Sequence, residues 1–369
     1  MHAADHALQV QARAAGKPGE RLRIAVIPER YGSVISPCAS IRLHPFFESF
    51  KAASRADVRY VLPSEIPRFS PDLIVWHRAS ISHAEDVLAL RDMATRNGCR
   101  LIYDIDDNLL DMEGHGEQAS YQGVTEAVRA SLRVADEIWC STPNLVQRVG
   151  VETAAKTILM PNVLDPDLWV LGGEKTLGEG KARSRPLQLL YMGTRTHDSD
   201  FELVRGALEQ LERRHPGRFR LSVIGVCSDD SVRATWLHTL TPPPGVGASY
   251  PAFVHWFRGL QGFDAGLAPL VSNRFNACKS PIKILDYAAI GLPTLASNVP
   301  AYTHSFTSGV DCMHVENTAE SWASALAGLL DAPARLPPIA AKARQSVDPA
   351  RFVAAVEARW DRIANRVGM

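Results

Sequence analysis

Two lysines crowd the start of one short predicted helix, a place where cations reduce helix stability. The segment 276–293 predicts a helix with Ser280 as its cap and Gly291 just past its end. Lys279 precedes this helix, and Lys283 lies in its first turn. Because a helix N-terminus carries partial positive charge, each cation there costs about 0.3–1 kcal/mol. A bound anion reverses the sign of this effect, so the pattern favours a binding site for a diphosphate.

A carboxylate one turn later extends this pattern. Asp286 follows Lys283 by three residues, so the two side chains lie on roughly the same helix face. A carboxylate can accept hydrogen bonds from both hydroxyls of a ribose. A diphosphate at the helix start with a ribose one turn later is a pose that fits a nucleotide. The alternative is a surface helix on which Lys283 and Asp286 are solvated neighbours.

Three carboxylates follow the predicted strand at 100–104. Asp104, Asp106 and Asp107 lie so close in sequence that their repulsion should raise at least one pKa or require a cation. Such groups are candidates for functional sites. Asp106 or Asp107 could act as a general base or stabilise positive charge in a transition state. Asp104 and Asp106 could instead hold a divalent metal, or all three could be structural.

Polar residues also follow two other predicted strands. His197 comes after the strand at 187–192, where it could contact a phosphate, while Asp198 could cap the next helix. His77 and Arg78 end another strand and could face a second substrate. A histidine in such a place is more often a structural side chain, so both interpretations stay open.

The predicted elements that carry these residues alternate between strands and helices, which is typical of doubly wound parallel sheets. The pattern runs through residues 21–168 and restarts at 187–350, which indicates two Rossmann-like α/β domains. A Gly-rich, charged stretch at 169–186 is interpreted as their linker. Residues 1–20 are interpreted as a disordered N-terminal arm. Residues 351–369 form a predicted C-terminal helix that could pack back on the N-terminal domain.

The composition fits a two-domain cytoplasmic protein. A chain of 369 residues with 46% hydrophobic residues exceeds the size at which single cores stop growing, roughly 250–300 residues. The 40 basic residues balance 40 acidic ones, which argues against a general attraction to nucleic acid. The 6 cysteines form no CxxC pair, so we expect neither a zinc site nor a disulfide framework. We find no run of about 18 apolar residues, although contact with the inner membrane surface stays open.

Residues 279–297 resemble the donor-binding segment of bacterial GT-B glycosyltransferases and are similar to family 4, or glycosyl transferases group 1. Residues 262–270 resemble the strand before that segment, and residues 189–195 resemble the first C-domain strand with its Gly-Arg turn. The retaining enzymes of this family carry a Glu-x7-Glu motif. Cys278 and Asp286 stand at its two ends here, so we do not infer the stereochemical outcome.

This resemblance implies a GT-B fold, in which two Rossmann-like domains face a cleft. Lys283 and Arg195 would neutralise the diphosphate of the donor, because ammonium and guanidinium groups suit phosphate. Asp286 would bind the ribose. The predicted donor-binding residues are Gly193, Thr194, Arg195, His197, Lys279, Lys283, Asp286 and Tyr287.

The resemblance also implies a hexosyl- or deoxyhexosyltransferase that moves a sugar from a nucleoside diphosphate sugar to an acceptor hydroxyl. Asp106 and Asp107 match the acidic position of related enzymes and are the predicted catalytic residues. His77 and Arg78 are the predicted acceptor contacts. We expect no metal and no cofactor beyond the sugar nucleotide, since Lys283 and Arg195 supply positive charge. The implied acceptor is a glycan or lipid-linked glycan in the synthesis of cell-surface polysaccharide or an O-antigen-like glycan.

Other functions stay open at this point. A non-catalytic paralogue that binds a sugar nucleotide would keep Lys283 and Asp286 without turnover. A metal-dependent phosphatase would use Asp104 and Asp106, although Asn108 stands where that motif has threonine or valine. An oxidoreductase is disfavoured, because no GxGxxG motif follows the first predicted strand.

Overall fold

The chain forms two compact units, each built around its own sheet. The computed structural model describes residues 21–113, 118–121, 123–171, 185–193, 197–225 and 234–367. The first unit contains the described residues up to Asn162 together with the chain from Phe352 onward, and the second contains those from Val163 to Arg351. The predicted arm at 1–20 and most of the predicted linker lie outside the described residues.

A 6-stranded parallel sheet forms the centre of the first unit. Its strands are β1 (Leu22–Ile27), β4 (Ala56–Tyr60), β5 (Leu73–His77), β6 (Arg100–Ile105), β7 (Glu137–Cys140) and β8 (Lys156–Leu159). A separate antiparallel pair consists of β2 (Arg30–Tyr31) and β3 (Val34–Ile35). In the order β4-β1-β5-β6-β7-β8, the chain adds β4 on one side of β1 and then β5 on the other side. The topological switch point therefore lies between β1 and β5. Ligands of such sheets bind beyond the carboxyl ends of the strands at this switch point.

The helices of the first unit cover the faces of its sheet. They are α1 (Pro37–Arg42), α2 (His44–Ala52), α3 (Ile66–Phe69), α4 (Ala84–Asn97), α5 (Gln118–Tyr121), α6 (Thr125–Val134) and α7 (Pro143–Gly150). The first two helices meet at Leu43. Pro45 lies in the first turn of α2, where its missing N–H is harmless, but it could not continue a helix from α1.

The second unit repeats the same plan. Its parallel strands are β9 (Leu187–Met192), β10 (Phe219–Ile224), β11 (Leu237–Thr239), β12 (Ala265–Ala268), β13 (Thr294–Ser297) and β14 (Met313–Val315), in the order β11-β10-β9-β12-β13-β14. The switch point here lies between β9 and β12. The doubly wound α/β architecture predicted from the sequence is therefore confirmed in both units.

The helices of the second unit are α8 (Pro166–Trp169), α9 (Asp198–Arg214), α10 (Tyr250–Phe257), α11 (Ile282–Ala289), α12 (Pro300–Thr303), α13 (Ala319–Asp331) and α14 (Leu336–Ala343). Leu164 and Trp169 are buried in the core of this unit, so the chain enters it before the expected linker begins. In the described parts of the chain, every helix is too short or too polar to cross a membrane.

The last helix, α15 (Pro349–Val367), packs on the first unit over most of its length. Phe352 stacks on Phe46 with ring centres 5.4 Å apart, and Trp360 meets the edge of Phe50 at 5.5 Å. Arg55 donates two hydrogen bonds to Glu357, at 2.9 and 2.8 Å. The phenylalanines of α2 therefore belong to a core that α15 completes.

Candidate functional site

The second unit carries a set of ionisable side chains around the start of α11, most of them buried, which we call the lysine site. It consists of His197, Asp200, Lys279, Lys283 and Asp286. Pro281, rather than the predicted Ser280, occupies the N-cap position of α11. Gly291 follows the helix with φ +75°, as expected for a residue that ends it.

Lys283 is a buried cation, with only 8% of its surface exposed. Its Nζ has no hydrogen-bond partner among the described residues and lies 4.8 Å from the centre of the Tyr191 ring. Burial, with a smaller contribution from Lys279, lowers the pKa of this amine to about 8, although Asp200 and Asp286 act in the opposite direction. A buried amine without a hydrogen bond is costly to the fold. It suits a site that an anion occupies during function.

Asp286 is buried in the same place, with 6% of its surface exposed. Its Oδ1 also has no hydrogen-bond partner in the described part of the chain. Burial raises the pKa of this carboxyl group well above its ordinary value, although Lys283 acts in the opposite direction. A protonated carboxyl group can both donate and accept a hydrogen bond. Asp286 therefore offers a ligand hydroxyl either role.

His197 and Asp200 form a pair at the start of α9. The Nδ1 of His197 lies 2.6 Å from Oδ2 of Asp200, whose Oδ1 accepts a 2.6 Å hydrogen bond from the amide of Val271. Burial lowers the pKa of His197 to about 3, with a further contribution from Lys283. The imidazole is therefore neutral near pH 7. His197, not Asp198, occupies the N-cap position of α9.

Tyr287 supports the lysine site from below. Its hydroxyl accepts a 2.9 Å hydrogen bond from the amide of Met192, on β9, and lies 3.2 Å from the carbonyl oxygen of Leu267, on β12. A Cβ atom on Gly266 would come within 2.6 Å of the Tyr287 ring. The side chain is fully buried and joins the two strands of the switch point. The hydroxyl of Tyr287 is thus used by the backbone, and its predicted donor contact stays a prediction.

Two of the other predicted donor-binding residues, Gly193 and Lys279, lie in described segments. Gly193 follows β9, and its amide donates a 3.0 Å hydrogen bond to the carbonyl of Ile224. Lys279 is half-buried, with its Nζ 4.9 Å from the centre of the Phe275 ring. Thr194 and Arg195 lie outside the described residues.

The first unit carries a second group of charges at the carboxyl ends of β1, β5 and β6, which we call the carboxylate cluster. It consists of Glu29, Asp104, Asp106 and Asp107. Asp104 is closed to solvent, and its two oxygens accept hydrogen bonds from Arg42 at 2.9 and 2.6 Å. Arg42 also donates a 3.0 Å bond to Asn162. Asp104 is thus a buried partner of Arg42, which argues against its use as a phosphatase nucleophile or metal ligand.

Arg78 supplies the cation that the other carboxylates require. Its Nη1 lies 3.0 Å from Asp107 and 3.4 Å from Asp106, while its Nε lies 3.4 Å from Glu29. Burial alone would raise the pKa of Asp106, but Arg78 and then His77 hold that pKa below its ordinary value. Asp106 is therefore ionised at neutral pH. It offers a carboxylate that can accept a proton or stabilise positive charge.

Two further features show how tightly Arg78 is held. Its backbone has φ +50°, a left-handed conformation that is unfavourable for a residue with a side chain. Tyr121 accepts a 2.9 Å hydrogen bond from Nη2 of Arg78, and the hydroxyl of Tyr103 donates one of 2.9 Å to the Arg78 carbonyl. Backbone strain of this kind persists where surrounding contacts fix it, often at functional sites.

His77 lies at the end of β5 and is also fully buried. Its Nε2 is 3.5 Å from Asp106 and 3.7 Å from Asp104. Neither ring nitrogen has a hydrogen-bond partner among the described residues. The structure therefore brings the predicted acceptor residues His77 and Arg78 together with the predicted catalytic carboxylates. Asp107 is the more open of those two, with 17% of its side chain exposed.

The fold of this chain is similar to that of several solved protein structures. No protein-family model matches the sequence, and curated protein sequences give no significant match. Among solved structures, Anabaena HepE in complex with UDP-glucose is 11% identical, with a TM-score of 0.62 over 92% of this chain and 100% of that one. A Rickettsia africae glycosyltransferase is 10% identical, with a TM-score of 0.64 over 95% and 99% of the two chains.

Sucrose-phosphate synthase from Thermosynechococcus elongatus is similar over 98% of this chain and 92% of its own, with a TM-score of 0.58 and 13% identity. The chain has the GT-B fold. This agrees with the fold implied by the sequence resemblance. The GT-B fold places the lysine site at the switch point of one Rossmann-like unit and the carboxylate cluster at that of the other.

Several residues of these sites could not be singled out from the sequence. Arg42 and Glu29 meet partners that are far away along the chain, so no local spacing marks them. Asp200 differs, because it follows His197 by three residues at the start of a predicted helix, and such residues share a helix face. That spacing could have indicated the pair. Arg78 was predicted as an acceptor contact, and its structural partners give it a role in holding the carboxylates.

Proposed function

We propose that the chain is a glycosyltransferase that moves a sugar from a nucleoside diphosphate sugar to an acceptor hydroxyl. The observation that carries this proposal is the pair of buried polar atoms, Nζ of Lys283 and Oδ1 of Asp286, that have no hydrogen-bond partner among the described residues. A nucleotide would supply both partners, a phosphate for the amine and the ribose hydroxyls for the carboxyl group. HepE, whose solved structure holds UDP-glucose, has the same fold.

The chemistry at the lysine site would be stabilisation of the leaving group. When the bond between the sugar and the diphosphate breaks, negative charge grows on the phosphate oxygen. Positive groups that are already in place stabilise this charge without further reorganisation. Lys279 and Lys283 would serve in this way, together with Arg195. The proposed reaction therefore uses no metal ion and no cofactor beyond the sugar nucleotide.

We assign the acceptor chemistry to the carboxylate cluster. Asp106 or Asp107 would accept the proton of the acceptor hydroxyl or stabilise positive charge on the transferred sugar. Of the two, Asp107 is more exposed, while Asp106 is fixed between His77 and Arg78. From the sequence resemblance alone, we propose that the protein is a cytoplasmic hexosyl- or deoxyhexosyltransferase. It would act on a glycan or lipid-linked glycan of the cell surface, in peripheral contact with the inner membrane.

A binding experiment tests the donor half of the proposal. Thermal unfolding would be followed with UDP-glucose, GDP-mannose, dTDP-rhamnose, NAD and Mg²⁺. We expect one sugar nucleotide to raise the melting temperature without added metal. Lys283→Met should weaken its affinity at least about tenfold, the value of one lost charge-assisted hydrogen bond. Lys342→Met, on the exposed face of α14, is the matched control. Stabilisation by NAD alone would contradict the proposal.

A turnover experiment tests the enzyme half. The stabilising sugar nucleotide would be incubated with membrane and glycan fractions, and released nucleotide would be measured. We expect Asp107→Asn to reduce turnover about a hundredfold or more, as loss of a general base does. Asp92→Asn, at an exposed position of α4, is the control. Binding without any release of nucleotide would favour a non-catalytic protein, and a changed sugar on an intact nucleotide would indicate an isomerase.

A further inference from the structure

The pair of His197 and Asp200 is built like a proton-handling dyad. One oxygen of Asp200 lies 2.6 Å from Nδ1 of His197, and the other accepts the amide of Val271. Burial would raise the pKa of Asp200, but the contact with His197 holds it below its ordinary value, so the carboxylate is ionised. An ionised carboxylate can only accept, which places the imidazole proton on Nδ1. The second ring nitrogen, Nε2, then carries a lone pair.

Tyr191 ties this dyad to the lysine site. Its hydroxyl donates a 3.2 Å hydrogen bond to the carbonyl of His197, and its ring lies under Nζ of Lys283 at 4.8 Å. The charged groups that act on the imidazole are Asp200 on α9, Lys283 on α11 and Lys279 just before α11. Both lysines oppose a positive charge on His197. A bound diphosphate would cancel their field and favour that charge instead.

We propose that His197 takes up a proton from solvent when the diphosphate of a sugar nucleotide binds, and that its Nε2–H then donates a hydrogen bond to the leaving phosphate. Asp200 is the positioning residue that fixes the tautomer. When the bond between the anomeric carbon and the phosphate oxygen breaks, the electron pair stays on that oxygen and the imidazolium stabilises it. This inference rests on the proposed function and deepens it.

Calorimetry measures the proton directly. The sugar nucleotide that stabilises the protein most among UDP-glucose, GDP-mannose and dTDP-rhamnose would be titrated in two buffers of different ionisation enthalpy, at about pH 6.5. The diphosphate of these ligands has no protonation step near neutral pH, and Lys283, with a pKa of about 8, already carries its proton. We expect the wild-type protein to take up about one proton per ligand. Affinity should then fall up to about tenfold for each unit of rising pH.

Three variants separate the roles within the dyad. His197→Asn places its amide where Nδ1 was, so it keeps the Asp200 contact and should lose proton uptake and about tenfold in affinity at the lower pH. His197→Gln can place a neutral donor where Nε2 was, and should bind better than His197→Asn without proton uptake. In Asp200→Asn, the amide oxygen still accepts the hydrogen bond from Val271, while the amide NH2 group faces Nδ1 of His197. The imidazole proton then moves to Nε2, so this variant should bind without proton uptake and without the pH dependence.

The outcomes distinguish this inference from the proposed function. If wild-type protein binds the sugar nucleotide without proton uptake, or if His197→Asn leaves the uptake unchanged, the inference is wrong and the proposed function stands. If none of the three sugar nucleotides binds, both are wrong. Uptake that is lost in His197→Asn and Asp200→Asn alike, with binding kept in Asp200→Asn, supports the dyad. A merely structural contact would not produce that pattern.

Discussion

The ammonium group of Lys283 lies 4.8 Å above the ring of Tyr191, in a position that is almost closed to solvent. The face of an aromatic ring attracts a cation, but more weakly than a hydrogen-bonded anion does. The protein without ligand therefore keeps the positive charge of Lys283 in a buried position, where burial disfavours the charged form. Groups that are unfavourable for folding and favourable for binding are characteristic of functional sites.

Lys283→Met should make the free protein more stable. The pKa of the Lys283 amine is about 8 in the folded protein, against 10.5 for an ordinary lysine. The difference corresponds to about 3 kcal/mol at neutral pH, which the variant would recover in large part. Chemical denaturation at pH 7 measures the gain, and Lys342→Met should show none. A variant less stable than the wild type would contradict the buried charge.

The same lysine should make stability depend on pH. Between its folded and unfolded pKa values, the unfolded chain binds more protons than the folded protein does. Stability of the wild-type protein should therefore rise as pH increases from about 8 to 10.5. In Lys283→Met this rise should be missing. Urea titrations at several pH values across this window would detect the difference, and a rise of equal size in both proteins would count against it.

Asp286→Asn should flatten the pH dependence of stability at the acidic side. Burial raises the pKa of this carboxyl group well above 3.8, so the folded protein keeps a proton that the unfolded chain releases. Stability contributed by the neutral form is complete below the unfolded pKa and is lost as pH rises through the folded one. The amide of asparagine imitates the neutral form at every pH. Denaturation midpoints of both proteins from acidic to neutral pH would test this, with Asp92→Asn as the control.

Tyr287→Phe should destabilise the second unit without changing the charges of the lysine site. The lost hydroxyl leaves the buried amide of Met192 without its acceptor, which costs about 1–3 kcal/mol. Gly266→Ala should have an effect in the same direction, because its Cβ atom would meet the Tyr287 ring at 2.6 Å. Thermal unfolding of each variant measures the loss. Phenylalanine keeps the aromatic ring, so Tyr287→Phe should not relieve the clash that Gly266→Ala creates. If the double variant were as stable as Tyr287→Phe alone, the clash would lie elsewhere.

Asp104→Asn should lower stability far more than it affects the chemistry. It removes one partner of a buried ion pair and leaves the Arg42 guanidinium without its anion, which costs about 3–5 kcal/mol. The double variant Arg42→Met with Asp104→Leu should recover much of that loss. Equilibrium unfolding of the single and double variants provides the comparison. A catalytic role for Asp104 would instead appear as lost turnover in a protein of unchanged stability.

The sequence predicted the fold well, because each element carries a local signal. Short apolar runs indicated the buried parallel strands, and the cap and glycine signals bounded α11 to within a few residues. The pattern of cations at that helix also led to the lysine site. These features depend on neighbours along the chain, which a single sequence displays.

The remaining features depend on partners that only the folded chain brings together. Arg42 pairs with Asp104 across 62 positions of sequence, and Arg78 gathers carboxylates that follow β1 and β6. Tyr287 was expected to meet the donor, yet its hydroxyl bonds to backbone of two other strands. Neither residue type nor spacing distinguishes a tyrosine that binds a ligand from one that joins strands.

The position of α15 sets the order in which the protein can form during synthesis. Its aromatic side chains complete the packing around Phe46 and Phe50, although nearly the whole chain separates them in sequence. Nearly all of the second unit precedes α15, so this unit can fold while the polypeptide is still being made. The first unit lacks the aromatic contacts of α15 until this helix emerges from the ribosome. A nonsense mutation just before this helix would therefore harm the part of the protein that was translated first.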